Sequence, residues 1–213
     1  MSEILRFENI SLNVEKKLLF NFSLAINSGE FFVVNGKNAA GKSLLLKLFF
    51  LKLLPSNGKI LLYGKRITEN EKVNILKYRK KVGVILQNDY LIPFFSVYQN
   101  IEIASEIQSK KEYFTKRIDE ILNWLDLKKI SNELVNKLSN WEKQRVVIAR
   151  ALINNPKIII ADQPENYLDE VTKKKLFFLL ESLNKLGATI IMTSNNHKLL
   201  TLTHKTINLG DNK

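Results

Sequence analysis

G-K-N-A-A-G-K-S, residues 36–43, stands between the apolar run 31–35 and the leucine-rich run 44–50. That order predicts strand, loop and helix, the context in which G-x-x-x-x-G-K-[ST] holds phosphate. Glycines let backbone N–H groups turn inward, and a helix opening near Lys42 adds the positive end of its dipole. Gly36, Lys37, Asn38, Ala39, Ala40, Gly41, Lys42, Ser43 and Leu44 are therefore the expected nucleotide-binding loop. Lys42 would reach the β- and γ-phosphates, and the Ser43 hydroxyl would ligate Mg²⁺. From average residue usage, a chance match in a chain this long is on the order of one in a hundred.

Working outward, the periodicity predicts strands over 4–12, 18–26 and 31–35, then a helix over 42–54 closed by Pro55 and Ser56-Asn57-Gly58. Strands follow over 59–63 and 82–86. From 88 to 155 the pattern is helical, with Phe114, Ile118, Ile121, Leu122 and Leu125 on one face. The short apolar run 158–161 reads as a buried parallel strand, ending in Asp162, a carboxylate suited to Mg²⁺. A helix over 170–186 and strands over 189–193 and 206–209 complete an α/β domain. The expectation is one domain over 1–213, with a sheet core of 1–88 and 156–213 and a helical insertion of 89–155.

With 213 residues, 45% hydrophobic and 25% charged, the chain has the composition of an ordinary globular domain. It has no cysteine, which excludes disulfides and thiolate metal sites. Glu3, Arg6 and Glu8 interrupt any signal-peptide pattern, and Lys47 and Lys52 break the longest apolar run. A cytoplasmic location is expected, with any membrane role reached through a partner or the lipid surface. The net charge of +12 is spread over clusters at 77–81, 110–111, 128–129 and 173–175. Solvated faces are the first reading, attraction to an anionic membrane surface the second, and nucleic acid a distant third.

The loop, Asp162 and the helical insertion together resemble the ATP-binding cassette (ABC) family over nearly the full length. The resemblance implies a P-loop, RecA-like core with an antiparallel β subdomain and a helical subdomain. Gln87 matches the family's Q-loop glutamine, which senses Mg²⁺ and couples to a transmembrane partner. L-S-N-W-E-K-Q-R-V-V-I-A-R-A-L at 138–152 sits where the signature and its helix belong, giving Ser139, Asn140, Trp141 and Glu142 as signature positions. Residues 166–169 fit the D-loop. Y-R-K-K-V-G-V-I-L-Q at 78–87 and L-I-P-F-F-S-V-Y-Q-N-I at 91–101 look like the cell-division branch of the family, FtsE, with the LolD and MacB cassettes close by the same patterns. The resemblance implies ATP and Mg²⁺ as ligands, the metal facing Ser43, Gln87 and Asp162. It also implies a homodimer on ATP binding and an integral membrane partner resembling FtsX at the inner face of the cell membrane. Tyr90, Phe94, Phe95 and Tyr98 either line the groove for that partner or belong to the core.

Five residues at four motif places depart from the family pattern, three of those places belonging to the hydrolytic apparatus. Gln163 replaces the glutamate that polarises the attacking water, and an amide cannot act as a carboxylate base. Asn195 stands at the H-loop histidine, and His197, two residues on, reads as a surface residue. Asn140-Trp141 replaces the signature's Gly-Gly, and the indole is expected to obstruct the approach to an opposite subunit's γ-phosphate. Val14 occupies the aligned place of the adenine-stacking aromatic. Three separate losses point to natural decay of the hydrolytic apparatus, with nucleotide kept as a structural ligand. The competing expectation is a working transport ATPase in which Glu142 or Glu165 supplies the missing carboxylate.

Overall fold

The computed structural model describes residues 2–14, 17–37, 40–86, 90–105, 111–194 and 205–209. Strands β1 (Glu3–Val14), β2 (Lys17–Asn27), β4 (Asn57–Leu62) and β5 (Lys65–Ile67) form an antiparallel sheet in the order β2-β1-β4-β5. Strands β3 (Phe31–Gly36), β6 (Val82–Ile85), β7 (Ile158–Asp162), β8 (Thr189–Ser194) and β9 (Lys205–Leu209) form a parallel sheet in the order β6-β7-β8-β3-β9. The helices are α1 (Lys42–Phe49), α2 (Lys72–Arg79), α3 (Val97–Glu102), α4 (Lys111–Trp124), α5 (Asn140–Leu152) and α6 (Glu170–Lys185). The expected α/β architecture, with an antiparallel sheet and a helical segment between β6 and β7, is the one observed.

Parallel strands covered on both faces should be apolar at successive positions, and β3 shows it. Phe31 and Val33 join Ile159, Ala161, Ile190 and Met192 in the core shared with α3, α4, α5 and α6. Phe32 and Val34 face the other way, joining Ile158, Ile160 and Ile191 in the core shared with α1 and the antiparallel sheet. The sheet thus separates two apolar layers, and the helical segment is rooted in one of them.

The structure departs from the expected elements in three places. α1 ends at Phe49 instead of near 54, because Leu51 takes a left-handed backbone (φ 55°) that a right-handed helix cannot continue through. β5 has only three residues, too few for an alternating pattern to register. α2 was hidden for a different reason: Ile75 and Tyr78 are buried while Val73 and Leu76 point outward, so no single apolar stripe marks it.

The helical segment meets the core closely at Gly83 of β6. A Cβ there would lie 2.5 Å from the Ala151 carbonyl oxygen near the end of α5. Gly83→Ala is expected to push α5 off the sheet and cost about 1–3 kcal/mol, as overpacking does. Thermal denaturation of the variant measures this as a lowered Tm.

Candidate functional site

The parallel register places the chemistry at one edge of the sheet. Asn35 pairs with Ser194, and Asp162 pairs with Thr193, so the carboxyl ends of β3, β7 and β8 lie side by side. The loop after β3 and the start of α1 sit on that edge, where ligands of open α/β sheets gather.

Two glycines shape the loop. At Gly36 a Cβ would stand 2.8 Å from the Leu209 carbonyl oxygen of β9. Gly41 precedes α1 with φ 89°, a conformation that favours glycine. It provides no side-chain cap, and the first turn of α1 holds no acidic residue. The first N–H groups of the helix are therefore left for an anion. The Lys42 side chain curls back over the loop, its Nζ donating to the carbonyls of Gly36 at 2.5 Å and Lys37 at 2.9 Å. Burial lowers the Lys42 pKa, while the charges of Asp162 and Glu165 pull it back upward. Ser43 and Asp162 line one cavity of about 410 Å³ with Leu86 and Tyr90. These side chains suit Mg²⁺ chemically: a hydroxyl and a carboxylate, both hard oxygen donors.

Thr193 and Ser194 support the acidic groups. Thr193 Oγ1 donates to Asp162 Oδ1 at 2.7 Å and accepts from the Gln163 N–H at 2.9 Å. Ser194 Oγ donates to Glu165 Oε1 at 2.5 Å, and Glu165 is only 4% exposed. Gln163 has a left-handed backbone (φ 44°), and its Oε1 accepts from Asn166 Nδ2 at 3.2 Å. The amide at this place is held by a neighbour within the same turn.

The signature positions form a separate group on α5. Ser139 caps the helix, its hydroxyl accepting from the Glu142 N–H while the Glu142 carboxylate accepts from the Ser139 N–H at 2.8 Å and hydroxyl at 2.6 Å. These bonds hold the Glu142 carboxyl below the usual range. Asn140 is exposed. The Trp141 indole is half-buried against the helical core, with the Arg145 guanidinium 5.6 Å from its ring centre. Arg145 in turn donates to the carbonyls of Leu125 and Asp126, tying α5 to the end of α4. The indole is thus packed partly against its own chain.

The structure brings together the phosphate loop, Asp162, Gln163 and Glu165, and adds Thr193 and Ser194, which the sequence reading did not single out. The run I-I-M-T-S at 190–194 marks a strand ending in two hydroxyls, but which groups they meet depends on the register of β8 against β7. Tyr90 and Phe94 are exposed (66% and 82%), whereas Tyr98 packs against the helical core. Asn38, Ala39, Gln87, Asn195 and His197 lie outside the described residues.

Loop, sheet edge and acidic strand end define a P-loop nucleotide-binding domain. Residues 19–166 match the family model described as ABC transporter. Among curated relatives, the cell division ATP-binding protein FtsE of Bacillus subtilis is 33% identical over 192 residues, covering 90% of this chain and 84% of that protein. The lipoprotein-releasing system ATP-binding protein LolD of Aquifex aeolicus is 35% identical over 216 residues, covering 100% of this chain and 96% of that protein. The ATP-binding cassette MJ0796, solved as a dimer bound to ADP and Pi, superposes with a TM-score of 0.83 at 29% identity, over 97% of this chain and 94% of that one. The chain belongs to the ABC transporter family of ATP-binding subunits. Among the described residues, no helix is long and apolar enough to cross a membrane.

Proposed function

We propose that the chain is the ATP-binding subunit of an FtsE/FtsX-like membrane complex in cell division and cell-wall remodelling. It binds Mg-ATP and hydrolyses it slowly or not at all. The single observation that carries the binding half is the Lys42-centred loop facing Asp162, whose carboxylate Thr193 orients. The amide of Gln163, engaged by Asn166, supports the loss of hydrolysis, since it can accept a hydrogen bond but not a proton from water at neutral pH.

On this reading Gly36, Lys37, Asn38, Ala39, Ala40, Gly41, Lys42, Ser43 and Leu44 hold the phosphates. Ser43, Gln87 and Asp162 face Mg²⁺. The unit runs over 1–213, with 89–155 inserted into a core of 1–88 and 156–213, and ATP draws two copies together. The choice of FtsE over LolD rests on the shortness of the insertion, because the stretches 78–87 and 91–101 suit both and the two relatives are similar to this chain at nearly equal identity. Exposed Phe94, and exposed Tyr90, which lines a cavity with Leu86, suit the reception of a membrane partner's cytoplasmic segment at the inner membrane face. Co-purification with a single membrane protein of the FtsX type is the expected result. Recovery with a lipoprotein exporter instead would move the assignment to LolD.

A second reading, an active transport ATPase of the LolD or MacB kind, is favoured by one observation. Glu165 is a buried carboxylate that interacts electrostatically with Lys42 and is oriented by Ser194. If it served as the base, Glu165→Gln would lower turnover by about 10²-fold or more. Under slow or absent hydrolysis, that substitution has little or no turnover to remove.

A further inference from the structure

α2 is apolar on two opposite sides. Its inner side is fixed to the core: Ile75 and Tyr78 are buried, and the Tyr78 hydroxyl donates to the Phe49 carbonyl at 2.7 Å. Arg79 donates to the carbonyls of Phe50 and Leu51 and lies 5.4 Å from the Phe50 ring centre. At about 100° per residue, Lys72, Leu76, Lys80, Val73 and Lys77 fall in that order across the opposite arc, spanning about 140°. Val73 is 65% and Leu76 57% exposed, and all three lysines are exposed, as is Lys81 just beyond the helix.

Three lysines of this surface, Lys72, Lys77 and Lys81, are exposed and stand outside the ion pairs of the described residues. The acidic residues near the helix, Glu69 and Glu71, both precede it, and Glu71 accepts from Asn74. The packed core has no use for the outer aliphatics, and the phosphate site lies on other elements.

We infer that the outer arc of α2 docks on an anionic bilayer surface. Lysines with long aliphatic stems interleaved with two aliphatic side chains match a headgroup layer, where ammonium groups meet lipid phosphates and the apolar groups enter the acyl boundary. Nucleic acid would engage the lysines but leave Val73 and Leu76 in water, and the arc carries no aromatic ring for bases to stack on. Two aliphatic groups and a few charges make a weak, reversible contact. Its effect is to orient the cassette against the leaflet. This inference needs no transmembrane partner and stands apart from the assignment to an FtsX-like complex.

The test is co-sedimentation of the purified full chain with vesicles, at about 0.1 M salt so that charges within about 10 Å still interact. One vesicle set is phosphatidylcholine alone, and the other contains about one-third phosphatidylglycerol. Binding is expected only to the anionic vesicles. Lys72→Glu, Lys77→Glu and Lys81→Glu combined should reduce partitioning at least about tenfold. Val73→Ser with Leu76→Ser should reduce it about threefold or more. Reversal of Lys174, Lys175 and Lys185 on α6 changes net charge equally and should leave partitioning within about twofold. Unchanged nucleotide binding and circular dichroism show that the variants fold. Equal loss in the α6 variant would reduce the effect to bulk charge and overturn the inference. So would full binding by the serine variant, tighter binding to duplex DNA at the same salt, or sedimentation only when a membrane protein is in the vesicle.

Discussion

Lys42→Ala is expected to weaken Mg-ATP binding by at least about 10²-fold, read by calorimetric titration. In the structure the Lys42 ammonium is buried and bonded to the carbonyls of Gly36 and Lys37, inside the loop that phosphate would enter. On binding, those bonds are exchanged for charge-assisted ones to phosphate, each worth about 1.5–3 kcal/mol. Alanine removes both the charge and the tether. The remaining N–H donors of the loop and of α1 still attract an anion, so binding is weakened and not erased. A loss of less than about threefold would mean that the nucleotide sits elsewhere.

The second large effect concerns hydrolysis and runs against the simplest repair. Gln163→Glu alone is expected to leave turnover within about threefold of the parent, because groups that act as a unit are non-additive: one restored member gains little while the others are missing. Restoring Glu at 163, His at 195 and Gly at both 140 and 141 together is expected to raise turnover by about 10²-fold or more. The structure offers no steric bar to the first change, since a glutamate at 163 can accept the same hydrogen bond from Asn166. Single-turnover rates of both variants check this. A large gain from Gln163→Glu alone would show that the site is otherwise intact and place the defect in one residue.

Much of this site could be read from the chain because its signals are local. Gly36, Gly41 and Lys42 declare a loop whose geometry needs those residues, and the run ending in Asp162 declares a buried strand with a carboxylate at its tip. The Thr193–Asp162 and Ser194–Glu165 bonds were not legible, since they depend on β7 and β8 being neighbours in register, which no local pattern encodes. Glu165 illustrates the gap: three residues after Asp162 it reads as a loop glutamate, yet the fold buries it against Ser194. Trp141 shows the same limit, because its contact with the Arg145 guanidinium depends on how α5 packs. α2 carries no single apolar stripe because its buried Ile75 and Tyr78 and its exposed Val73 and Leu76 lie on opposite sides.

Nucleotide binding with hydrolysis slow or lost is the central claim. Its most direct test is single-turnover hydrolysis of radiolabelled ATP by the chain with its membrane partner, run beside Lys42→Ala and an equilibrium binding measurement. The expected result is ATP bound by the parent chain, weakly bound by Lys42→Ala, and phosphate release no faster in one than in the other. Rapid phosphate release by the parent that Lys42→Ala abolishes would contradict the account and make the chain a working ATPase.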